Sequence, residues 1–199
     1  VYALKSGVQT FSITDAARGN LLATFTKNDA HYDIYAQLNK FVIDGNLLSS
    51  AMPINIRDTM ITGDINMTTN GHIAHDIYYN LAGDMDLSFD GGYIVGLGFD
   101  DFYASTDKIT TFNAEYALAG ALTGGETKIK KMHIIGKYEN GNFITARPLT
   151  LQMRHVDAIG EFEITDGRMM ALLNLTMRGT SPAPVPIHVC FSYWTYSFS

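Results

Sequence analysis

The 199-residue chain holds a single cysteine, Cys190, so no disulfide can close within it and its redox compartment is not written in cysteine pairing. Flanked by Val189 and Phe191, that thiol reads as a buried structural group. Charge is also scarce, at 17% of residues. With 14 Lys and Arg against 20 Asp and Glu, the net charge of −6 offers no general attraction for phosphate backbones, and no nucleic acid partner is expected. Apolar runs fall well short of the roughly 20 residues that cross a bilayer as a helix, and no signal-peptide pattern opens the sequence. Any targeting or anchoring segment is therefore expected upstream of Val1. Neither a Gly-x-Ser-x-Gly elbow nor a phosphate-cradling glycine loop occurs. No enzyme activity, cofactor or metal is expected.

What the chain does have is apolar character, 46% of residues, which is too much for a disordered protein and enough for one domain over 1–199. Turn dipeptides punctuate it at Asp44-Gly45, Asn70-Gly71, Asp90-Gly91, Asn140-Gly141 and Asp166-Gly167. Each tolerates the positive φ that a tight hairpin turn requires, and the series predicts an antiparallel meander.

Between these dipeptides the sequence alternates with period two, the signature of a sheet with unlike faces. Ile77, Tyr79, Leu81, Gly83, Met85, Leu87 and Phe89 share one parity, opposite Asp84, Asp86 and Ser88. Ile61, Ile65 and Met67 alternate with Thr62, Asp64 and Asn66; Leu149, Leu151 and Met153 with Thr150 and Gln152; Phe162 and Ile164 with Glu161 and Glu163. Strands are also predicted at Val8–Thr14, Leu21–Thr26, His31–Ile43 and Ile54–Ile56, with Pro53 at a strand start or edge. The spacing of Phe99, Phe102, Tyr103, Tyr116, Leu118 and Leu122 suits helical turns, so one or two short helices are expected over about 98–123, packed at one end or face of the sheet. The fold class is thus mainly β, a curled antiparallel meander with short helices.

Some constellations suggest chemistry. His72-x-x-His75 followed by Asp76 has metal-ligand types, but at a strand start residues three apart face opposite ways, and a solvated hairpin shoulder is the preferred reading. Gly96-x-Gly98-x-Asp100 resembles half of a calcium-binding repeat that works only in stacked copies. Asp84, Asp86 and Asp90 would act as acid and base only in a desolvating cleft. Lys128, Lys130 and Lys131 read as solvated charges, with anionic lipid headgroups as the sharper alternative.

The order of features from Gly83 onward resembles the C-terminal region of the AsmA-like bacterial envelope proteins. Gly83 to Gly96 is similar to that family's strand, Asp-Gly turn and following strand; Gly125-Glu126-Thr127 leads a strand to Asn140-Gly141. Leu149 to Met153, Ile159 to Ile164, Leu172 to Thr180 and Pro184 to Val189 continue in the family's order, over about 83–190. At Phe191 and Tyr196 the chain departs from the family's usual Gly and Pro. The resemblance implies the C-terminal part of a longer Gram-negative protein, anchored to the inner membrane and projecting into the periplasm. It also implies a β-groove that takes phospholipids or other envelope lipids in inter-membrane transport or outer-membrane biogenesis, and it carries no catalytic residues.

A sheet with one apolar face suits that role, because each buried CH₂ of an acyl chain contributes about 0.8 kcal/mol. The groove candidates are Ile61, Ile65, Met67, Ile77, Leu81, Met85, Leu87, Phe89, Leu149, Leu151, Met153, Phe162 and Ile164, with Lys128, Lys130 and Lys131 as headgroup contacts. Two readings compete with it: the same side chains pack on the helices as an ordinary core, or the module is a lipid-free scaffold docking a membrane protein through Val185 to Ser199.

Overall fold

The computed structural model describes residues 7–15, 18–46, 55–104, 114–165, 168–177 and 185–192. Twelve strands form one antiparallel sheet: β1 (Gly7–Asp15), β2 (Gly19–Asn28), β3 (His31–Asn46), β4 (Asn55–Asn70), β5 (Ala82–Asp90), β6 (Tyr93–Val95), β7 (Glu126–Glu139), β8 (Asn142–Thr145), β9 (Leu149–Met153), β10 (Val156–Thr165), β11 (Arg168–Met177) and β12 (Val185–Ser192). Three short helices accompany them: α1 (Ala74–Tyr79), α2 (Phe99–Ala104) and α3 (Ala114–Leu122). Neighbours in sequence are neighbours in the sheet, because β5 and β6 both lie between β4 and β7, and β8 and β9 both lie between β7 and β10. The expected mainly-β antiparallel sheet with short helices is what forms.

The turn dipeptides resolve into different devices. Asn140 and Gly141, both at positive φ, make the tight turn joining Glu139 to Asn142 across β7 and β8. Asp90-Gly91 does not reverse the chain. Gly91 and Gly92, both at positive φ, interrupt one strand path whose halves β5 and β6 pair with the same two neighbours. Asp44-Gly45 lies inside β3 as a bulge, where the Gly45 N–H donates to the Asp58 carboxylate at 2.9 Å. Asp166-Gly167 lies outside the described residues, as does Pro53.

A second correction concerns residues 77–81, expected to run into β5 as one strand. Residues 74–79 instead close a helix, with the Ile77 N–H donating to the Ile73 carbonyl at 3.1 Å and that of Asn80 to Asp76 at 2.9 Å. The Thr69 hydroxyl donates to the Ile77 carbonyl at 2.5 Å and the Asn80 amide to the Asn70 carbonyl at 2.8 Å. These bonds tie α1 back onto the end of β4, so Asn70-Gly71 begins a helical connection and not a hairpin.

The helices predicted over 98–123 are α2 and α3, and β7 positions α2. Thr127, wholly buried, accepts the Phe99 N–H at 2.8 Å and donates to the Leu97 carbonyl at 2.6 Å, closing the start of the helix. The Gly98 N–H donates to the Ala121 carbonyl at 2.7 Å, and the Tyr103 ring stacks on His155 at 4.1 Å. The core that results joins Ile94, Leu97 and Phe99 to Ile61, Phe89, Ile129, Met132, the β9 side chains, Val156, Ala158, Leu173 and Leu175.

Four strand glycines, Gly63, Gly83, Gly136 and Gly160, stand where neighbouring chain crowds in. An added Cβ would fall on the carbonyl oxygen of Asp86 at Gly63, of Asn66 at Gly83 and of Leu172 at Gly160, and on the Phe143 ring at Gly136. Gly120 in α3 faces open space. Gly160→Ala is expected to lower stability by about 1–3 kcal/mol in urea denaturation. Gly120→Ala is expected to raise it by up to about 1 kcal/mol. Equal signs at the two sites would contradict this account.

Candidate functional site

Residues directly opposite one another in a ladder share a face, so the register assigns every strand residue to one side of the sheet. One row reads Phe11, Ala23, Ala36, Ile65, Met85, Gly136. The next reads Ile13, Leu21, Leu38, Gly63, Leu87, Ile134. Beyond it Phe41, Ile61, Phe89, Met132, Leu151, Ala158 and Leu175 continue the same side. One apolar face thus runs through all the ladders traced from β1 to β11.

The groove candidates divide along this face. Ile61, Phe89, Leu149, Leu151 and Met153 are buried in the core cluster, with Leu87 and Phe162 packed against it. Ile65, Met85 and Ile164 are half-buried and outside that cluster, and Met67 is buried beside the α1 end. Ile77 belongs to α1 and Leu81 to the link before β5, so neither lies on a strand. The face is therefore filled where α2 and α3 pack, Ile61 of β4 and Phe89 of β5 included, and more open over β1, β2 and the stretches of β3 to β5 that carry Ala36, Ile65 and Met85, with Phe11 and Phe25 exposed.

Lys128, Lys130 and Lys131 are exposed on the opposite side of β7. A bulge between Ile129 and Lys131 lets Ile129 and Met132 both turn inward, which puts Lys130 and Lys131 together on the outer face. The structure thus separates the headgroup candidates from the groove candidates by the thickness of the sheet. A cation on the apolar parity is Lys27, whose ammonium lies 5.3 Å from the Tyr32 ring in the row Gly7, Lys27, Tyr32, Thr69. Its odd position in Leu21-x-Ala23-x-Phe25-x-Lys27 was the available signal.

Over β4 and β5 the outer face is polar. Asp64 and Asp86 stand directly opposite each other, a repulsive pairing relieved by the Tyr35 hydroxyl, which donates to Asp64 at 3.0 Å, and by His133, 2.7 Å from Asp86. Asp84 faces Lys137 at 3.9 Å. A depression of about 240 Å³ lies between Ser88, Asp90, Lys131, His133, Thr150 and Gln152, without a buried titratable group. His72 is exposed before α1, whereas His75 meets Asp76 at 3.6 Å and Tyr79 at 4.5 Å. His75 thus sits on a helix and His72 in the link before it, not at the strand start expected, and no group of three metal-ligating side chains forms among the described residues. The Asp100 carboxylate accepts the Lys128 N–H at 3.1 Å. Cys190 pairs with Met170 in the ladder, and its side chain lies outside the described residues.

No helix among the described residues is long and apolar enough to cross a membrane. The chain matches no protein-family model, no curated protein and no solved structure.

His31, at the start of β3, lies 2.8 Å from the Asn70 carboxamide oxygen and 3.1 Å from the Asp33 carboxylate. Both partners are acceptors, so the imidazolium is favoured and the pKa rises above the ordinary histidine value, first through Asn70 and then through Asp33. A raised folded-state pKa means that this stabilisation is fully present below about pH 6.5 and fades as pH climbs through the folded value. NMR titration is expected to place His31 above the unfolded-peptide value, and His31→Gln to remove that part of the pH dependence. A His31 pKa at or below the unfolded value would refute the geometry.

Proposed function

We propose that this chain is a non-catalytic lipid-handling module whose apolar sheet face shelters the acyl chains of phospholipids or similar envelope lipids. The observation that carries this reading is the single apolar face that crosses the ladders, filled at one end and half-open over the rows that carry Phe25, Ala36, Ile65 and Met85. The resemblance to the AsmA-like C-terminal region supports a periplasmic setting, anchorage to the inner membrane through a preceding segment, and a role in inter-membrane lipid transport or outer-membrane biogenesis. In this reading Ile65, Met85, Ala36 and Phe25 meet the ligand, the core residues support them, and Lys27 replaces the β7 lysines as the headgroup contact.

The division of the face chooses the probe. Leu151→Asp would bury an unpaired carboxylate in the core, with a loss of roughly 3–5 kcal/mol that unfolds the protein before it informs on lipid. Met85→Asp acts at a half-buried site. It is expected to leave the circular dichroism spectrum unchanged and to cut the lipid that co-purifies after gentle extraction at least about tenfold, by mass spectrometry. Wild-type protein that emerges lipid-free under the same extraction would overturn the reading.

A lipid-free scaffold that docks on a membrane protein is the second reading, favoured by a separate observation. Ile144, Ile159, Met170 and Leu172 are exposed on the outer face of β8, β10 and β11, interleaved with Glu161 and Glu163. Crosslinking in membranes separates the two. A specific protein neighbour at this patch or at residues 185–199, without lipid crosslinks along β4 and β5, favours the scaffold.

A further inference from the structure

Followed along its strands, the half-open strip of β2 to β5 has a closed end. The apolar face begins at the row of Lys27, Tyr32 and Thr69. Ala36, Ile65 and Met85 further along are half-buried. Six residues on from Tyr32, Leu38 already packs against the core, as does Leu87 in the same row. The next row holds Ile61 and Phe89, each 3% exposed. The distance from the Tyr32 row to the Leu38 row is about 20 Å, at the rise of an extended strand. Two other sides are bounded. The Phe143 ring lies across Gly136 of β7, and α1 sits on the Thr69 end of β4 through the 2.5 Å bond from Thr69 to Ile77. The way in is therefore over β2 and β3, where the Lys27 ammonium lies 5.3 Å from the Tyr32 ring. Between the Lys27 and Leu38 rows, no described residue on this face of β2 to β5 carries a carboxylate. His75 and Asp76 of α1 meet each other, at 3.6 Å.

We infer that this strip is a blind bay that measures acyl-chain length, with the methyl end against the core at Leu38 and Leu87 and an anionic head at Lys27 and Tyr32. It rests on the lipid-handling reading above and narrows its ligand to a chain of limited length. An extended hydrocarbon advances roughly 1.3 Å per carbon, from C–C bonds of about 1.5 Å, so the bay holds about 16 carbons. Each methylene within that length leaves water and adds to affinity. A carbon beyond it either stays in water at the mouth or has to part Ile61 and Phe89, which close packing opposes. The charge at the mouth sets the direction of entry, because the head keeps its contact with Lys27 and with water while the chain goes in. A ligand held in this way enters and leaves by the same mouth and does not thread through.

Saturated fatty acids of about 8 to about 22 carbons, titrated calorimetrically into the 199-residue chain, span the length in question. Affinity is expected to rise up to about fourfold per CH₂ and to level off near about 16 carbons. Ala36→Phe places a ring across the bay four residues from Tyr32 and is expected to bring the plateau down to about 10 carbons. Lys27→Glu is expected to weaken the fatty acids about tenfold more than the matching fatty alcohols. Affinity that keeps rising to the longest chain, or that is flat across the series, overturns the bay and leaves the lipid reading standing. A plateau that a folded Ala36→Phe protein does not move overturns it as well, and the wild-type series decides alone if that variant fails to fold. Equal losses for acids and alcohols at Lys27→Glu overturn the assigned orientation. No binding at any length overturns the bay and the lipid reading together.

Discussion

A broad sheet with one apolar face has to cover that face, and most of the remaining structure follows from how it does so. The hydrophobic contribution of each side chain is realised only where another element excludes water from it. Here the covering elements are short. α2 and α3, held by Thr127 and by the Gly98 contact to Ala121, close one end, and α1, tied to Thr69, meets the other end of β4. Between them the residues of β2 to β5 have only each other, and that half-covered strip is the feature that a ligand or a partner would complete.

The strand glycines belong to the same solution. Gly63, Gly83, Gly136 and Gly160 all stand on the apolar parity, opposite Leu87, Met67, Met85 and Leu149 respectively. Removing side chains from that side lets neighbouring chain approach closely there. Glycine weakens a strand locally. In exchange, this sheet brings β4, β7, β10 and β11 into one core with few helical residues to fill it.

How much of this was legible depended on bulges. β5, β9 and β10 keep strict period two, so Met85, Leu87, Phe89, Leu151 and Phe162 were assigned to the correct face from sequence. In β3 the pairing shifts between Leu38 and Phe41, moving the apolar parity from Ile34, Ala36 and Leu38 to Phe41 and Ile43. The same event in β7 separates Ile129 from Met132. A one-residue insertion is invisible to a period-two reading, and it blurs the pattern where it occurs. The α1 residues failed for another reason. Ile77 and Tyr79 share a parity as a strand would have it, yet they lie in a helix that Thr69 and Asn80 bond to the end of β4, a tertiary tie that a local pattern does not contain.

The polar side chains within the apolar core limit what that face can recognise. Thr59 donates to the Gly91 carbonyl at 3.1 Å, Thr69 to Ile77, and Thr127 spans Leu97 and Phe99. Among the described residues, every buried side-chain nitrogen and oxygen already has a partner. Discrimination between ligands arises chiefly where a buried donor or acceptor is left unpaired by the wrong one. A face without such groups senses apolar area and little else, with methionines at 67 and 85 that adapt to shape. A ligand completing the half-covered strip, as proposed above, would therefore be held by its hydrocarbon surface, and selectivity beyond chain length would have to come from the rim, where Lys27 and Tyr32 meet the end of β4.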